Sequence, residues 1–313
     1  MVSARVRCID SGGVTADSAA EFERARPRLF GVAYRMLGSA ADAEDLVQDT
    51  WLRWSAVDRN AVRDPAAFLT TIVTRLAINA LTSARARRET YQGPWLPEPV
   101  DTQADPALGA VRAEAVDFAV LLLMEKLTST ERAVFVLREA FGYSFAAIAE
   151  TVDITESNGR QIFRRARDHV QSGRSAPVDR EGHRLLLDAF LGAAGAGDMA
   201  RLEAVLTESV VSLSDGGGKV TAARVPVVGR ARVSQFLLGV IGKFGQGMSV
   251  DIVEVNGRAA ARFSRAGDVV GVCTIEGTAA GIAKVMIVLE PSKLSRLGTA
   301  RKSDGRTVGQ EPG

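Results

Sequence analysis

Apolar positions recur at helical spacing from residue 21 to about residue 88. Phe22, Leu29, Phe30, Ala33, Met36 and Leu37 form a first stripe, and Gly38-Ser39 interrupts it. A second helix is predicted over Asp42 to Trp54, with Leu46, Val47, Thr50, Trp51 and Trp54 on one side. Asp64-Pro65 marks a third start, because Asp caps and Pro fits the first helical position. From there Phe68, Leu69, Ile72, Val73, Leu76, Ala77 and Leu81 repeat helically, and the pattern runs on into Arg85, Arg87 and Arg88.

Residues 89 to about 108 break the pattern with Pro94, Pro97, Pro99, Pro106 and Gly93 and read as a linker. Trp95 and Leu96 stand out within it, since large apolar groups in a linker call for a surface to cover them. Helical spacing resumes over 109–173. One helix is predicted from Leu108 to Leu127. Thr128 with Glu131 makes a capping box for the next, which carries Val134, Phe135, Leu137 and Phe141 and ends at Gly142. A short helix holds Phe145, Ile148 and Ala149, Asp153 to Glu156 turns, and a last helix runs to about Val170. Gly173 to Pro177 forms a second linker.

Beyond it glycine and valine rise. Helices are predicted at 180–195, 198–207 and 230–244, and strands at Val210–Ser214, Val220–Val228, Ser249–Val255, Ala259–Phe263, Val269–Glu276 and Ile282–Leu289. Asn256-Gly257 is a hairpin turn between two of these. Three helices with a meander predict an α+β domain, and the polar, Gly-rich residues 295–313 read as a disordered tail.

Composition narrows the class. The 313 residues are 46% hydrophobic and 24% charged, with net charge +2, which suits two or three globular domains. Cys8 and Cys273 form neither a disulfide framework nor a metal-ligand spacing. Residues 1–20 lack a signal-peptide core and read as a flexible arm, and no apolar run reaches membrane-spanning length. His169 and His183 have no neighbouring ligand residues and read as surface histidines.

Three segments carry chemistry. Tyr143 to Val170 has the layout of a helix-turn-helix. The second helix presents Ser157, Asn158, Arg160, Gln161, Arg164 and Arg165 from its first turns, where residues reach base edges and phosphates. Its alternative is an ordinary basic helix. The third predicted helix ends on Asn79, Arg85, Arg87 and Arg88, with Arg75 earlier and no acid among them. That end suits phosphates or unstacked bases, or is a solvated end that complements the helix dipole. The second helix places Asp45, Gln48, Asp49 and Leu52 at i, i+3, i+4 and i+7, a mixed face for a protein partner or one side of a small bundle.

The order of these segments supplies a resemblance. AEDLVQDTWLRW, FLTTIVTRLAINALTSARARRE and LTSTERAVFVLREAFGYSFAAIAETVDITESNGRQIFRRAR follow one another within residues 22–173 and resemble the two-domain core of extracytoplasmic-function sigma factors. WLPEP at 95–99 and DGGGK at 215–219 resemble marks of the sigma subgroup with a C-terminal SnoaL-like domain. That domain has the cone-shaped fold of nuclear transport factor 2. A third mark of the subgroup, Asn-Pro-Asp-Lys-Leu, matches Glu290-Pro291-Ser292-Lys293-Leu294 at Pro, Lys and Leu only.

The resemblance implies a multidomain chain: two all-α sigma domains (helical bundle, then helix-turn-helix) followed by an α+β SnoaL-like domain. The divisions expected are a region 2 domain at 21–88, a linker at 89–108, a region 4 domain at 109–173, a linker at 174–179 and the SnoaL-like domain at 180–294. Asp45, Gln48, Asp49 and Leu52 would then bind core RNA polymerase through its beta and beta-prime subunits. Asn79, Arg85, Arg87 and Arg88 would read the promoter −10 element, and Ser157, Asn158, Arg160, Gln161, Arg164 and Arg165 the −35 element. Trp95, Leu96, Pro97, Glu98 and Pro99 would meet Asp215, Gly216, Gly217, Gly218 and Lys219 in a regulatory contact, with Lys219 pairing Glu98 or acids of the first domain. No catalytic residue, metal, cofactor or membrane is implied, and the place of action is the cytoplasm.

The competing reading is a SnoaL-like domain that binds or transforms a small molecule. Catalysis there needs an acid or imidazole inside an apolar cone, and the candidates are Asp251, Glu254, Asp268 and His183. The Gly-rich run lacks the spacing of a P-loop and reads otherwise as a plain hairpin turn.

Overall fold

The computed structural model describes residues 16–58, 61–102, 117–173, 176–297 and 306–307. Three helices open the chain: α1 (Ala16–Leu37), α2 (Ala40–Ser55) and α3 (Pro65–Glu89). Gly38, at φ +67°, ends α1, and the Ser39 hydroxyl caps α2 by accepting from Asp42 N. Leu29, Val32, Met36, Val47, Trp54, Leu69, Val73 and Leu81 fill the bundle core, each at most 2% exposed. Burying such side chains contributes about 1.5–3 kcal/mol apiece. The helical part begins ahead of the expected boundary at residue 21: Ser18 is buried, and its carbonyl accepts from Trp54 Nε1 at 3.0 Å.

The expectation that no segment has membrane-spanning length needs correction. Pro65–Ala84 within α3 passes by length and mean hydropathy (1.3), with 33% of that window buried. Its apolar stripe packs on the bundle, while Arg75 and Asn79 point outward.

The second helical block contains α4 (Phe118–Met124), α5 (Ser129–Phe135), α6 (Phe145–Val152) and α7 (Glu156–Ser172). The first of these is shorter than the predicted Leu108–Leu127 helix, whose residues 108–116 lie outside the described residues. The Thr128–Glu131 capping box forms, and α5 continues into a π-helical turn, Val136–Ala140. Asp153, in the left-handed region at φ 58°, ends α6, and Thr155 caps α7.

The C-terminal domain has helices α8 (Arg180–Gly195), α9 (Met199–Val205) and α10 (Arg230–Phe244). Its strands are β1 (Leu206–Asp215), β2 (Val227–Val228), β3 (Met248–Val255), β4 (Arg258–Arg265), β5 (Asp268–Thr278) and β6 (Gly281–Val288). A short helix α11 (Pro291–Leu294) and the tail strand β7 (Arg306–Thr307) follow. The sheet order is β2-β1-β6-β5-β4-β3-β7, with β1 and β6 parallel and the other pairs antiparallel. Asn256 and Gly257, at φ 53° and 75°, make the predicted turn between β3 and β4.

Leu187, Phe190, Leu202, Val233 and Leu237 pack one face of the sheet against Val210, Ile275 and Val285. The other face carries Val255, Ala260, Val272, Met286 and Val288, and Leu96, Phe118, Leu294 and Leu297 cover it. The predicted strand Val220–Val228 is a loop up to Pro226, and only Val227–Val228 pairs with β1. Pro226 cannot donate to a ladder, and the glycines before it turn the chain toward the linker. His183 is not at the surface: it is 4% exposed, its Nε2–H donates to Ala259 O at 2.9 Å, and burial pushes its pKa down.

Candidate functional site

The faces expected to meet polymerase and promoter differ in how free they are. On α2, Leu46, Val47, Thr50 and Trp54 turn inward, which leaves Asp45, Gln48, Asp49 and Leu52 exposed on the opposite side. Leu52 is 58% exposed, an apolar side chain in water beside carboxylates. A groove between α1 and α2 adjoins this face and is lined by Phe22, Glu23, Arg26, Asp45, Gln48 and Trp51.

The helix-turn-helix is equally open. Ile148 and Ile162 lock α6 to α7, Phe163 stacks on Phe135 at 6.2 Å, and Ser157, Asn158, Arg160, Gln161, Arg164 and Arg165 all face solvent. Arg160 is the partly engaged member. It pairs with Glu156 and lies 4.8 Å above the Phe145 ring.

The basic end of α3 is not uniformly available. Asn79 is exposed, and the side chains of Arg85 and Arg87 lie outside the described residues. Arg75 reaches the second helical domain, donating through Nε to Thr151 O at 2.9 Å and through Nη2 to Glu150 O at 3.1 Å. Those carbonyls close the C-terminal end of α6, where donors are wanted. Arg88, expected at the −10 element, is engaged within the chain: it pairs with Glu125, donates to Leu37 O and lies 3.6 Å from the centre of the Trp95 ring. Burial holds its pKa below the usual arginine range.

Trp95 thereby finds its surface. Its ring is held between Arg88 and Lys293 (Nζ 4.5 Å from the ring centre) and fits against the α1–α2 turn. A methyl group on Gly38 would lie 2.8 Å from Trp95 Cη2. Leu96 is fully buried on the sheet.

Asp215, at the end of β1 and 0% exposed, is the hub. Its carboxylate accepts from Tyr91 OH at 2.6 Å, Leu96 N at 2.8 Å, Gly217 N at 3.1 Å and Lys293 Nζ at 2.7 Å. Lys293 Nζ also donates to Leu96 O at 2.6 Å. Burial pushes the Lys293 pKa down against the opposing pull of Asp215. Burial pushes Tyr91 up, and its bond to Asp215 adds to the shift. Gly217 and Gly218 have φ of +59° and +72°, and a side chain on Gly218 would come within 2.7 Å of Gln92 Oε1.

The expected partner of Lys219 is corrected. Lys219 binds Glu290 at 2.7 Å, because Glu98 is occupied elsewhere: its Oε2 accepts from Ala40 N at 2.7 Å and Ala41 N at 3.1 Å. Burial raises the pKa of Glu98, and those amides oppose the rise. Pro97 and Pro99 are buried beside it.

The structure thus joins the three short motifs of the sequence, WLPEP, DGGGK and EPSKL, in one cluster. Tyr91 and Arg88 also belong to it. Nothing in the pattern around Tyr91 separates it from a solvated linker residue.

The acids considered for catalysis are engaged or exposed. Asp251 pairs with Arg262 at 3.2 Å, Glu254 accepts from Thr102 Oγ1 at 2.7 Å, and Asp268 is exposed.

Comparison with known proteins agrees with this geometry. Residues 22–87 match the family model Sigma-70 region 2, and residues 117–170 match Sigma-70, region 4. The ECF RNA polymerase sigma factor SigJ of Mycobacterium tuberculosis is 40% identical over 237 residues, 73% of this chain and 74% of that protein. The probable ECF RNA polymerase sigma factor SigI of the same species is 31% identical over 280 residues, 87% of this chain and 93% of that protein. The crystal structure of SigJ superposes with a TM-score of 0.74 at 33% identity, covering 89% of this chain and 98% of that one. Two sigma domains, a mixed-sheet domain behind them and relatives of this extent place the chain in the extracytoplasmic-function sigma factors, the alternative initiation subunits of bacterial RNA polymerase.

Proposed function

We propose that the C-terminal domain regulates the sigma core of its own chain by holding the two helical domains in a closed arrangement. The observation that carries this reading is the Asp215 cluster, which ties the linker between the sigma domains to β1 and α11. The helical domains also touch directly. Thr71 and Thr151 lie 3.4 Å apart through their hydroxyls, and Arg132 Nε donates to Arg35 O at 2.9 Å. Elements centred about 25 base pairs apart are separated by roughly 85 Å of duplex at 3.4 Å per pair. Helices in mutual contact do not span that distance, so promoter reading requires the domains to part.

In this reading Asp45, Gln48, Asp49 and Leu52 meet the beta and beta-prime subunits, and Asn79 with the end of α3 contacts the opened −10 strand. Residues Ser157 to Arg165 of α7 read the −35 element. In this reading the protein acts in the cytoplasm on promoter DNA, and the C-terminal domain is open to a small-molecule ligand that would gate transcription. The domain, in this reading, does no chemistry of its own: Asp251 and Glu254 are engaged by Arg262 and Thr102, Asp268 is exposed, and the His183 ring is bonded to Ala259 O.

In vitro transcription with core polymerase tests it. Trp95→Ala and Gly216–Gly218 replaced by alanines are expected to change transcript yield severalfold relative to wild type. Wild-type yield from both would sink the regulatory reading.

A further inference from the structure

The N-terminus of α2 is capped twice, and the second cap comes from outside the helix. Ser39 supplies the local one. Glu98, from the linker, supplies the other: its carboxylate accepts from the first two amides of the helix, and its own N–H donates to Gly38 O at 2.8 Å. A buried anion at this position complements the helix dipole and satisfies two donors that the helix cannot pair itself.

The linker that carries Glu98 is held by the β3–β4 turn of the C-terminal domain. Asn256 Oδ1 accepts from Val100 N at 3.1 Å, Asn256 N donates to Val100 O at 2.9 Å, and Gly257 N donates to Thr102 Oγ1 at 3.0 Å. Asn256 Nδ2 donates to Tyr34 OH at 2.7 Å, and Tyr34 OH donates to Glu98 O at 2.7 Å. Asn256, Tyr34 and Glu98 are each at most 3% exposed. Arg296 adds a charge contact, 3.6 Å from Glu98 Oε1 and 3.8 Å from Glu44 of α2. None of these groups bonds to Asp215, whose carboxylate is taken by Tyr91, Leu96, Gly217 and Lys293.

We propose that Glu98 is a detachable cap on the polymerase-facing helix, and that the Asn256-Gly257 turn, acting through Tyr34, decides whether the cap is seated. The inference rests on the cis-regulatory reading and adds its route. The C-terminal domain tunes affinity for core polymerase through the order of the first turn of α2, and Glu98 and Asn256 are positioning residues in that route.

Full-length variants test it by amide hydrogen exchange and by core-polymerase affinity. Glu98→Ala and Asn256→Ala are each expected to speed exchange at Ala40 and Ala41 about tenfold and to weaken core binding by roughly three- to tenfold. Glu98→Gln keeps an acceptor oxygen and restores most of both. The double variant is no worse than Glu98→Ala, since both act through one cap. If Asn256→Ala fails to fold, Tyr34→Phe, which removes only the shared oxygen, carries the same expectation.

Unchanged exchange at Ala40 and Ala41 in a folded Asn256 or Tyr34 variant overturns the relay. If the Trp95 and Gly216–Gly218 variants then still alter transcript yield, the regulatory reading stands without it. If they do not, both fall.

Discussion

Two helices of this protein carry arginines of similar promise, and tertiary structure treats them differently. On α7, Arg164 and Arg165 face solvent, and among the described residues Arg160 is held by Glu156 one turn away and by Phe145. On α3, Arg75 is bonded to the carbonyl end of α6, and Arg88 is enclosed by Glu125, Leu37 O and Trp95. Both are basic amphipathic helices. Among the described residues, the arginines of α7 face solvent, whereas Arg75 and Arg88 of α3 lie at the seam between domains. A basic helix end serves as a DNA surface only while no carbonyl or carboxylate of the same chain has reached it first.

The comparison breaks first at the Asp215 cluster, where the largest effect is expected. Asp215→Ala leaves Lys293 buried without its carboxylate partner and is expected to lower stability by about 3–5 kcal/mol. Urea unfolding reads the loss, and faster proteolysis of the linker distinguishes release of the clasp from global unfolding. Wild-type linker protection would show that the cluster does not hold the domains.

Arg164→Ala is expected next. A lost bidentate arginine–guanine pair removes about 1–3 kcal/mol of discrimination. Transcription across a series of −35 variants should flatten in rank. An unchanged ranking would move base reading elsewhere on α7.

Charge reversal of Asp45 and Asp49 to lysine should weaken core pull-down about tenfold, or ~1.4 kcal/mol. Both residues are exposed, so circular dichroism should be unaffected.

Arg75→Ala is the smallest and sharpest change. Removing its bonds to α6 is expected to loosen the closed arrangement by about 1 kcal/mol. A longer distance between labels on α3 and α7 would report it. An unaltered distance would mean that the linker clasp and the remaining contacts, Thr71 with Thr151 and Arg132 with Arg35, suffice to keep the helices together.

Much of this molecule is legible along the chain. Caps and breakers mark helix ends because their effects are local. Ser39, Asp64, Thr128 and Thr155 each accept from the amide three residues ahead, and Gly38 and Gly142 turn the chain at positive φ. Stripes of apolar residues name the inward faces, and by subtraction the exposed Asp45–Leu52 and Ser157–Arg165 faces. The Asn256-Gly257 turn is equally local in its geometry.

What sequence could not assign were partners distant in the chain. Glu98 sits on the amides of Ala40 and Ala41 and not on Lys219, and His183 is buried beneath Ala259. Val220 to Pro226 leaves the sheet to meet the linker, and Arg88 serves Trp95 and Glu125. A charged side chain shows its sign and reach in the sequence. Which opposite charge or empty amide it meets depends on how domains dock, and docking is settled by the apolar surfaces each must cover: Leu96, Phe118 and Leu297 against one face of the sheet. Local free energies therefore determined the elements and their exposed faces, and burial between domains decided which of those faces remain available.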